Sequence, residues 1–233
     1  MNKHSRIEIL CGKNQQRKMS RFFTIYGGNI EVFLPTDALD FDFKSALKKM
    51  EKVLPYDLIS GIDVIYIGDF DILDERELNA VYSNGAIYVT LEQDSEKDFI
   101  DDIIHETAHS LEERLPHVIY DDGRLKGEFE DKYIALIKKL KKTNHPVPKE
   151  FTENFPIEYN EKWDEYLHHT IGYDSLHILT LSIFCSPYGA TDLREYWANC
   201  VEYYFLTSAS EVAKICPVAY EKIKELHDRT NEN

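Results

Sequence analysis

Apolar, mostly aromatic and β-branched positions dominate two short runs, 21–26 and 30–34, on either side of Gly27-Gly28-Asn29, the pattern of paired strands joined by a glycine turn. A second hairpin is predicted where 79–82 and 86–91 flank Ser83-Asn84-Gly85, and the run 62–70 between the two is rich in β-branched and aromatic residues. Phe43, Ala46, Leu47, Met50, Val53 and Leu54 recur at helical spacing behind an aspartate cap, and Pro55 closes that helix.

After Leu91 the period changes. Ser95 and Asp98 have the spacing of a capping box, and Phe99, Ile100, Ile103, Ile104, Ala108, Leu111 and Leu115 repeat every three or four residues up to Pro116, which predicts a long helix. A second amphipathic helix is expected over 125–140, through Leu125, Phe129, Tyr133, Leu136, Ile137 and Leu140, and Thr143-Asn144-His145-Pro146-Val147-Pro148 breaks it. Periodicity predicts no clear element from there to about Pro187. The last third predicts helices over 192–206 and 209–227, the latter interrupted at Cys216-Pro217. The expected architecture is a single α+β domain, with a β-rich lobe over 1–94 and a helical lobe over 95–233 that carries an insertion around 121–184.

A chain of 233 residues can bury one sizeable core, and 43% hydrophobic with 12% aromatic content argues for a packed protein rather than a disordered one. The formal net charge of -15, with no Lys/Arg cluster interleaved with aromatics, argues against a nucleic-acid partner or an anionic membrane surface. No run approaches the roughly 18 apolar residues of a membrane span, and residues 1–14 lack a signal-peptide core. The expectation is a cytoplasmic protein, or an effector delivered by a route that needs no signal. Cys11, Cys185, Cys200 and Cys216 lie far apart without a C-x-x-C pair, which predicts buried reduced thiols and neither a disulfide framework nor a cysteine metal site. Nothing in the sequence sets an oligomeric state.

Candidate chemistry concentrates in His105-Glu106-Thr107-Ala108-His109. On a helix, positions four apart project from nearly the same face, so His105 and His109 can both direct a ring nitrogen at one ion roughly 2.0 to 2.1 Å away. Glu106, rotated by about 100°, falls beside the ion and is the candidate general base. An HExxH string also arises by chance in roughly one chain in thirty of this composition, so its context matters. Here the histidines flank an apolar stripe of Ile100, Ile104, Ala108 and Leu111, at the edge of a core rather than on a solvated face. A catalytic zinc site takes a third protein ligand, for which His168, His169, His177, Glu195 and Glu202 are candidates. On the helix near the C-terminus, Glu195, Asn199 and Glu202 form a polar stripe opposite Leu193, Tyr196, Trp197, Cys200, Val201, Tyr204 and Phe205. Spacing alone leaves that stripe equally suited to solvent and to a cleft.

Tyr188-Gly189-Ala190-Thr191-Asp192-Leu193-Arg194-Glu195-Tyr196-Trp197-Ala198-Asn199, taken with HETAH, resembles the catalytic domain of anthrax lethal factor and the related Pro-Pro endopeptidases. In that family a tyrosine precedes the glutamate ligand with six residues between, and the glutamate opens an E-aromatic-aromatic-A-E stretch. Tyr203-Tyr204-Phe205-Leu206 and Cys216-Pro217-x-x-Tyr220 also resemble the C-terminus of the Pro-Pro endopeptidases. The resemblance implies a zincin-like peptidase of the gluzincin type with one zinc ion on His105, His109 and Glu195. It further implies that Glu106 activates water and that Tyr188 stabilises the oxyanion. Asn199 stands where the family has a second acidic residue, and it is expected with Glu202 to support the ligands through hydrogen bonds. The stretch between His109 and Tyr188 is longer than in these enzymes, which is the basis for the expected insertion. An extended protein or peptide substrate is expected to pair with an edge strand at Ala86, Ile87, Tyr88 and Val89. The expected function is a zinc-dependent endopeptidase acting on a restricted protein substrate, as a toxin, effector or regulatory protease. The rival expectation is a metal-stabilised module that grips an extended partner without cutting it.

Overall fold

The computed structural model describes residues 19–35, 41–75, 78–153 and 155–230. Cys11 and the segment read for a signal peptide lie outside the described residues. The chain divides into two compact units, the first ending at Arg114 and the second beginning at Leu115.

Five strands make one mixed sheet in the first unit. β1 (Met19–Ile25) pairs antiparallel with β2 (Ile30–Pro35), and β2 pairs parallel with β3 (Val64–Ile67). β5 (Ala86–Val89) lies parallel to β3 and antiparallel to β4 (Ala80–Ser83), giving the order β1-β2-β3-β5-β4. Both predicted hairpins form. The second turns on Asn84 at φ 49° and Gly85 at φ 80°, the left-handed pair that a two-residue turn between right-twisted strands requires.

Successive strand residues face opposite sides, and both sides of this sheet are covered. Val64, Tyr66, Ala86 and Tyr88 gather with Phe70 and Leu73 on one side, Leu73 lying within the short helix α3 (Asp71–Asp74) and Phe70 at its N-cap. Ile65, Ile67, Ile87 and Val89 face the other side and are fully buried. Two helices from the first part of the chain, α1 (Phe43–Met50) and α2 (Tyr56–Ile59), pack on the long helix α4 (Glu96–Arg114), which also meets β4 and β5. Because its apolar stripe of Phe99, Ile103 and Ile104 is buried in this way, α4 completes the sheet unit. The sequence-based boundary at 94/95 had instead placed it at the start of a helical lobe.

Both ends of α4 are tied down. The Ser95 hydroxyl accepts the Asp98 N–H at 3.2 Å, the first half of the capping box predicted from spacing, and donates to the Asp98 carboxylate at 2.7 Å. At the far end the Arg114 guanidinium donates to the Ser60 hydroxyl at 2.9 Å and to the Leu58 carbonyl at 2.6 Å. Gly61 makes that approach possible: a Cβ there would lie 2.5 Å from Arg114 Nε and 2.8 Å from Ser110 Oγ.

The second unit is helical: α5 (Pro116–Ile119), α6 (Arg124–Lys142), α7 (Lys149–Glu153), α8 (Glu161–Glu165), α9 (Tyr173–Thr180), α10 (Leu193–Tyr203), α11 (Ala209–Ile215) and α12 (Pro217–Thr230). The segment expected as an insertion forms its centre, since Phe129, Tyr133, Leu136 and Trp163 are fully buried and the Trp163 ring N–H donates to the Ala190 carbonyl at 3.0 Å. Glu128 on α6 accepts the Tyr196 hydroxyl at 2.7 Å and the N–H groups of Val218 and Ala219 at 2.9 and 3.0 Å. It thereby satisfies two of the exposed donors at the start of α12, behind Pro217, which has no N–H to offer. Between α7 and α10 the helices are short and one runs into a wide turn over Tyr166–Ile171, so no single period survives there for a sequence pattern to reveal. Among the described residues no helix is long and apolar enough to cross a membrane.

Gly61→Ala is expected to lower the stability of the chain by about 1–3 kcal/mol through overpacking against Arg114 and Ser110. Gly127→Ala, in the first turn of α6 with no atom within 4 Å of the new methyl group, is expected to raise it by about 0.4–1 kcal/mol. Denaturant titration followed by circular dichroism measures both.

Candidate metal centre

The middle of α4 carries the site. The ligand atoms of His105, Glu106 and His109 all lie within 4.8 Å of one another. The two imidazole rings stand one helical turn apart, 5.0 Å between centroids and at 77° to each other. Ile103, Ile104 and Ala108 bury the rear of the turn, and the Thr107 hydroxyl donates back to the Ile103 carbonyl at 2.8 Å, so polar groups collect on one side only.

A further carboxylate, overlooked at the level of sequence, prepares one ligand. His109 Nδ1 lies 2.6 Å from Glu112 Oε2, and the side chains are only 10% and 7% exposed. A carboxylate accepts from Nδ1–H, which fixes the ring orientation and leaves the Nε2 lone pair for a cation. The signal was present in the sequence as an acidic residue three positions after the second histidine, on the same helical face.

Glu106 is nearly buried, and its carboxylate accepts the Tyr82 N–H of β4 at 2.5 Å. That N–H points away from β5, toward the open side of the sheet. The Tyr82 hydroxyl donates to Glu113 at 2.5 Å. Burial and that hydrogen bond push the Tyr82 phenol up to about 12, so it is a proton donor throughout the neutral range.

This geometry corrects the expected position of the sheet edge. Ala86, Ile87, Tyr88 and Val89 form β5, which pairs with β3 on one side and β4 on the other and is buried throughout. No main-chain groups are left on β5 to receive an extended peptide. Among the described residues the open edge belongs to β4, because the chain turns back at Asn84-Gly85 and inserts the returning strand between β3 and β4.

Tyr188 and Glu195 belong to the second unit. Tyr188 opens a single tight turn, Tyr188–Ala190, and is 38% exposed. Glu195 sits in the first turn of α10, where the Asp192 carboxylate caps the helix by accepting the N–H groups of Arg194 and Glu195 at 2.8 and 2.9 Å. Burial pushes the Asp192 carboxyl up to about 6 against the opposing pull of the Glu195 N–H, and the negative charge of Glu195 adds to the rise. The expected polar stripe on α10 is split: Glu195 and Glu202 are half-buried, but Asn199 is buried. Asn199 donates to the Glu195 carbonyl at 2.9 Å and accepts the Ser186 hydroxyl. Of the alternative third ligands, His168 is paired one turn back with Asp164 at 3.2 Å, and His169 and His177 are exposed.

An α+β chain with two histidines and a glutamate converging on one helical turn is a candidate metalloprotein. Comparison with protein-family models, with curated proteins and with solved structures finds no match.

Glu112→Ala is expected to weaken divalent-metal binding by about 10–100-fold, the usual effect of removing a carboxylate behind a histidine ligand. Glu113→Ala, which loses only the Tyr82 hydroxyl contact, is expected to leave it unchanged. Competition against a chromophoric chelator reads both.

Proposed function

We propose that the chain is a zinc-dependent endopeptidase with a zincin-like fold, holding one ion on His105 and His109. The observation that carries this reading is the convergence of His105, Glu106 and His109 on one turn of α4, with Glu112 orienting His109 from behind. Neutral imidazole nitrogens suit zinc, and the ligand atoms of His105 and His109 lie within 4.8 Å of each other, with the Glu106 carboxylate beside them. The resemblance assigns the third ligand to Glu195 and the oxyanion donor to Tyr188, with Asn199 and Glu202 supporting the ligands.

A zinc ion at this position supplies Lewis acidity, which acidifies water and polarises a peptide carbonyl. Glu106 then takes the proton from the attacking water and returns it to the departing amine, the task of a nearly buried carboxylate beside the reacting atoms. The Tyr188 hydroxyl donates to the oxygen on which negative charge develops. An extended substrate pairs with the open edge of β4 rather than with β5, and the net charge of -15 favours a neutral or basic polypeptide. The restricted-substrate role, as an effector or a regulatory protease, is part of the same proposal.

One observation favours the rival reading of a metal-stabilised binding module without turnover. The Glu106 carboxylate already ties α4 to the β4 edge through the Tyr82 N–H, a structural task that needs no chemistry.

Glu106→Gln separates the two. As general base, Glu106 is expected to leave zinc content and melting temperature nearly unchanged on replacement, while zinc-dependent cleavage of a peptide library falls about 10²–10⁴-fold; undiminished cleavage overturns the mechanism. Glu195→Gln is expected to lower zinc stoichiometry, measured by atomic absorption after dialysis, and a full complement of zinc in that variant removes Glu195 from the ligand set.

A further inference from the structure

Three of the four cysteines, expected to be separate buried thiols, converge in the second unit. Cys185 Sγ lies 4.0 Å from Cys200 Sγ and 3.6 Å from Cys216 Sγ, and all three sulfurs fall within 4.8 Å of one another. They arrive on three different elements: Cys185 on the loop after α9, Cys200 in mid-α10, and Cys216 at the junction between α11 and α12. No spacing in the sequence announces them. Cys200 and Cys216 are fully buried, and Cys185 is half-buried, which leaves one open approach.

We propose that Cys185, Cys200 and Cys216 form a three-sulfur site for monovalent copper. Three sulfurs around one ion at a metal–sulfur distance of about 2.3 Å stand about 4.0 Å apart in a trigonal plane. The separations of 3.6 and 4.0 Å are close to that value, and the third falls within 4.8 Å. Thiolates select soft ions. Among the described residues no histidine, aspartate, glutamate or further cysteine joins the group as a fourth donor. A set of three sulfurs therefore suits an ion content with three, whereas structural zinc takes four.

The scaffold holds the sulfurs in place and supplies charge. The Lys132 ammonium on α6 donates to the carbonyl of Ile183 at 2.7 Å and to the carbonyl of Ile215. It thus pins the two segments that carry Cys185 and Cys216, and it is nearly buried itself. Its positive charge offsets the negative charge of thiolates in a site with little water to do so. The Cys216 N–H donates to the Val212 carbonyl at 2.7 Å, which anchors the backbone that carries the third sulfur. Copper binding releases the thiol protons to solvent.

The test is anaerobic titration of the full, reduced chain with Cu(I) against a chromophoric Cu(I) chelator, with X-ray absorption on the loaded protein. One Cu(I) per chain, held in a shell of three sulfurs, is expected. Cys185→Ser, at the half-buried position where the fold is least at risk, is expected to weaken retention by more than about 10-fold with circular dichroism unchanged. Cys11→Ser and His109→Ala are expected to retain Cu(I) in full, which separates this site from the histidine site on α4. Failure to retain Cu(I), a nitrogen or oxygen shell, or equal retention by Cys185→Ser each overturns the proposal. So does a preference for zinc over Cu(I), or a Cys185–Cys216 disulfide that forms in place of metal uptake.

Discussion

The candidate metal centre depends on the placement of one helix. His105, Glu106 and His109 share a side of α4 because of helical pitch alone, but pitch does not say where that side faces. The Ser95–Asp98 cap at one end and the Arg114 contacts with Ser60 and Leu58 at the other settle the question. Between those ties the apolar stripe is buried in the sheet unit, and the polar turn is left beside the open edge of β4. Gly61 belongs to the same constraint, since the guanidinium reaches its partners only over a residue without a side chain.

Two donor sets of opposite chemical character occupy the two units. The first, on α4, is nitrogen and oxygen, supported by a carboxylate, at the margin of the core. The second is sulfur alone, drawn from three elements and backed by a buried ammonium. Imidazole and carboxylate suit zinc, and thiolates suit softer ions, so the two sites need not compete for one metal. Glu112 and Lys132 play parallel parts as charged side chains that touch the donors or the segments bearing them.

What could be read in the sequence was local. The Asn84-Gly85 turn, the Ser95/Asp98 cap, the helical stripe of α4 and the HETAH turn each depend on residues within a few positions of one another, and each is present. What could not be read was long-range. The parallel pairings of β2 with β3 and of β3 with β5 leave no mark in alternation, so β5 was expected at an edge although it lies inside the sheet. The gathering of Cys185, Cys200 and Cys216 is likewise set by the packing of α6, α10 and α12, not by spacing. Asn199 was placed with Glu195 and Glu202 because a helical wheel counts angles, whereas its burial comes from Ser186 and the loop that precedes α10.

The mixed order of the sheet also bears on how the first unit assembles. Its hairpins close over turns of a few residues, but β3 must wait for the whole connection from Pro35 to Val64 before it can lie against β2. Contacts of high sequence separation form more slowly than local ones. The sheet that seats α4 is therefore complete only after that long connection has closed, whereas β4, which meets Glu106 through the Tyr82 N–H, comes from a local hairpin adjacent to α4 in the chain.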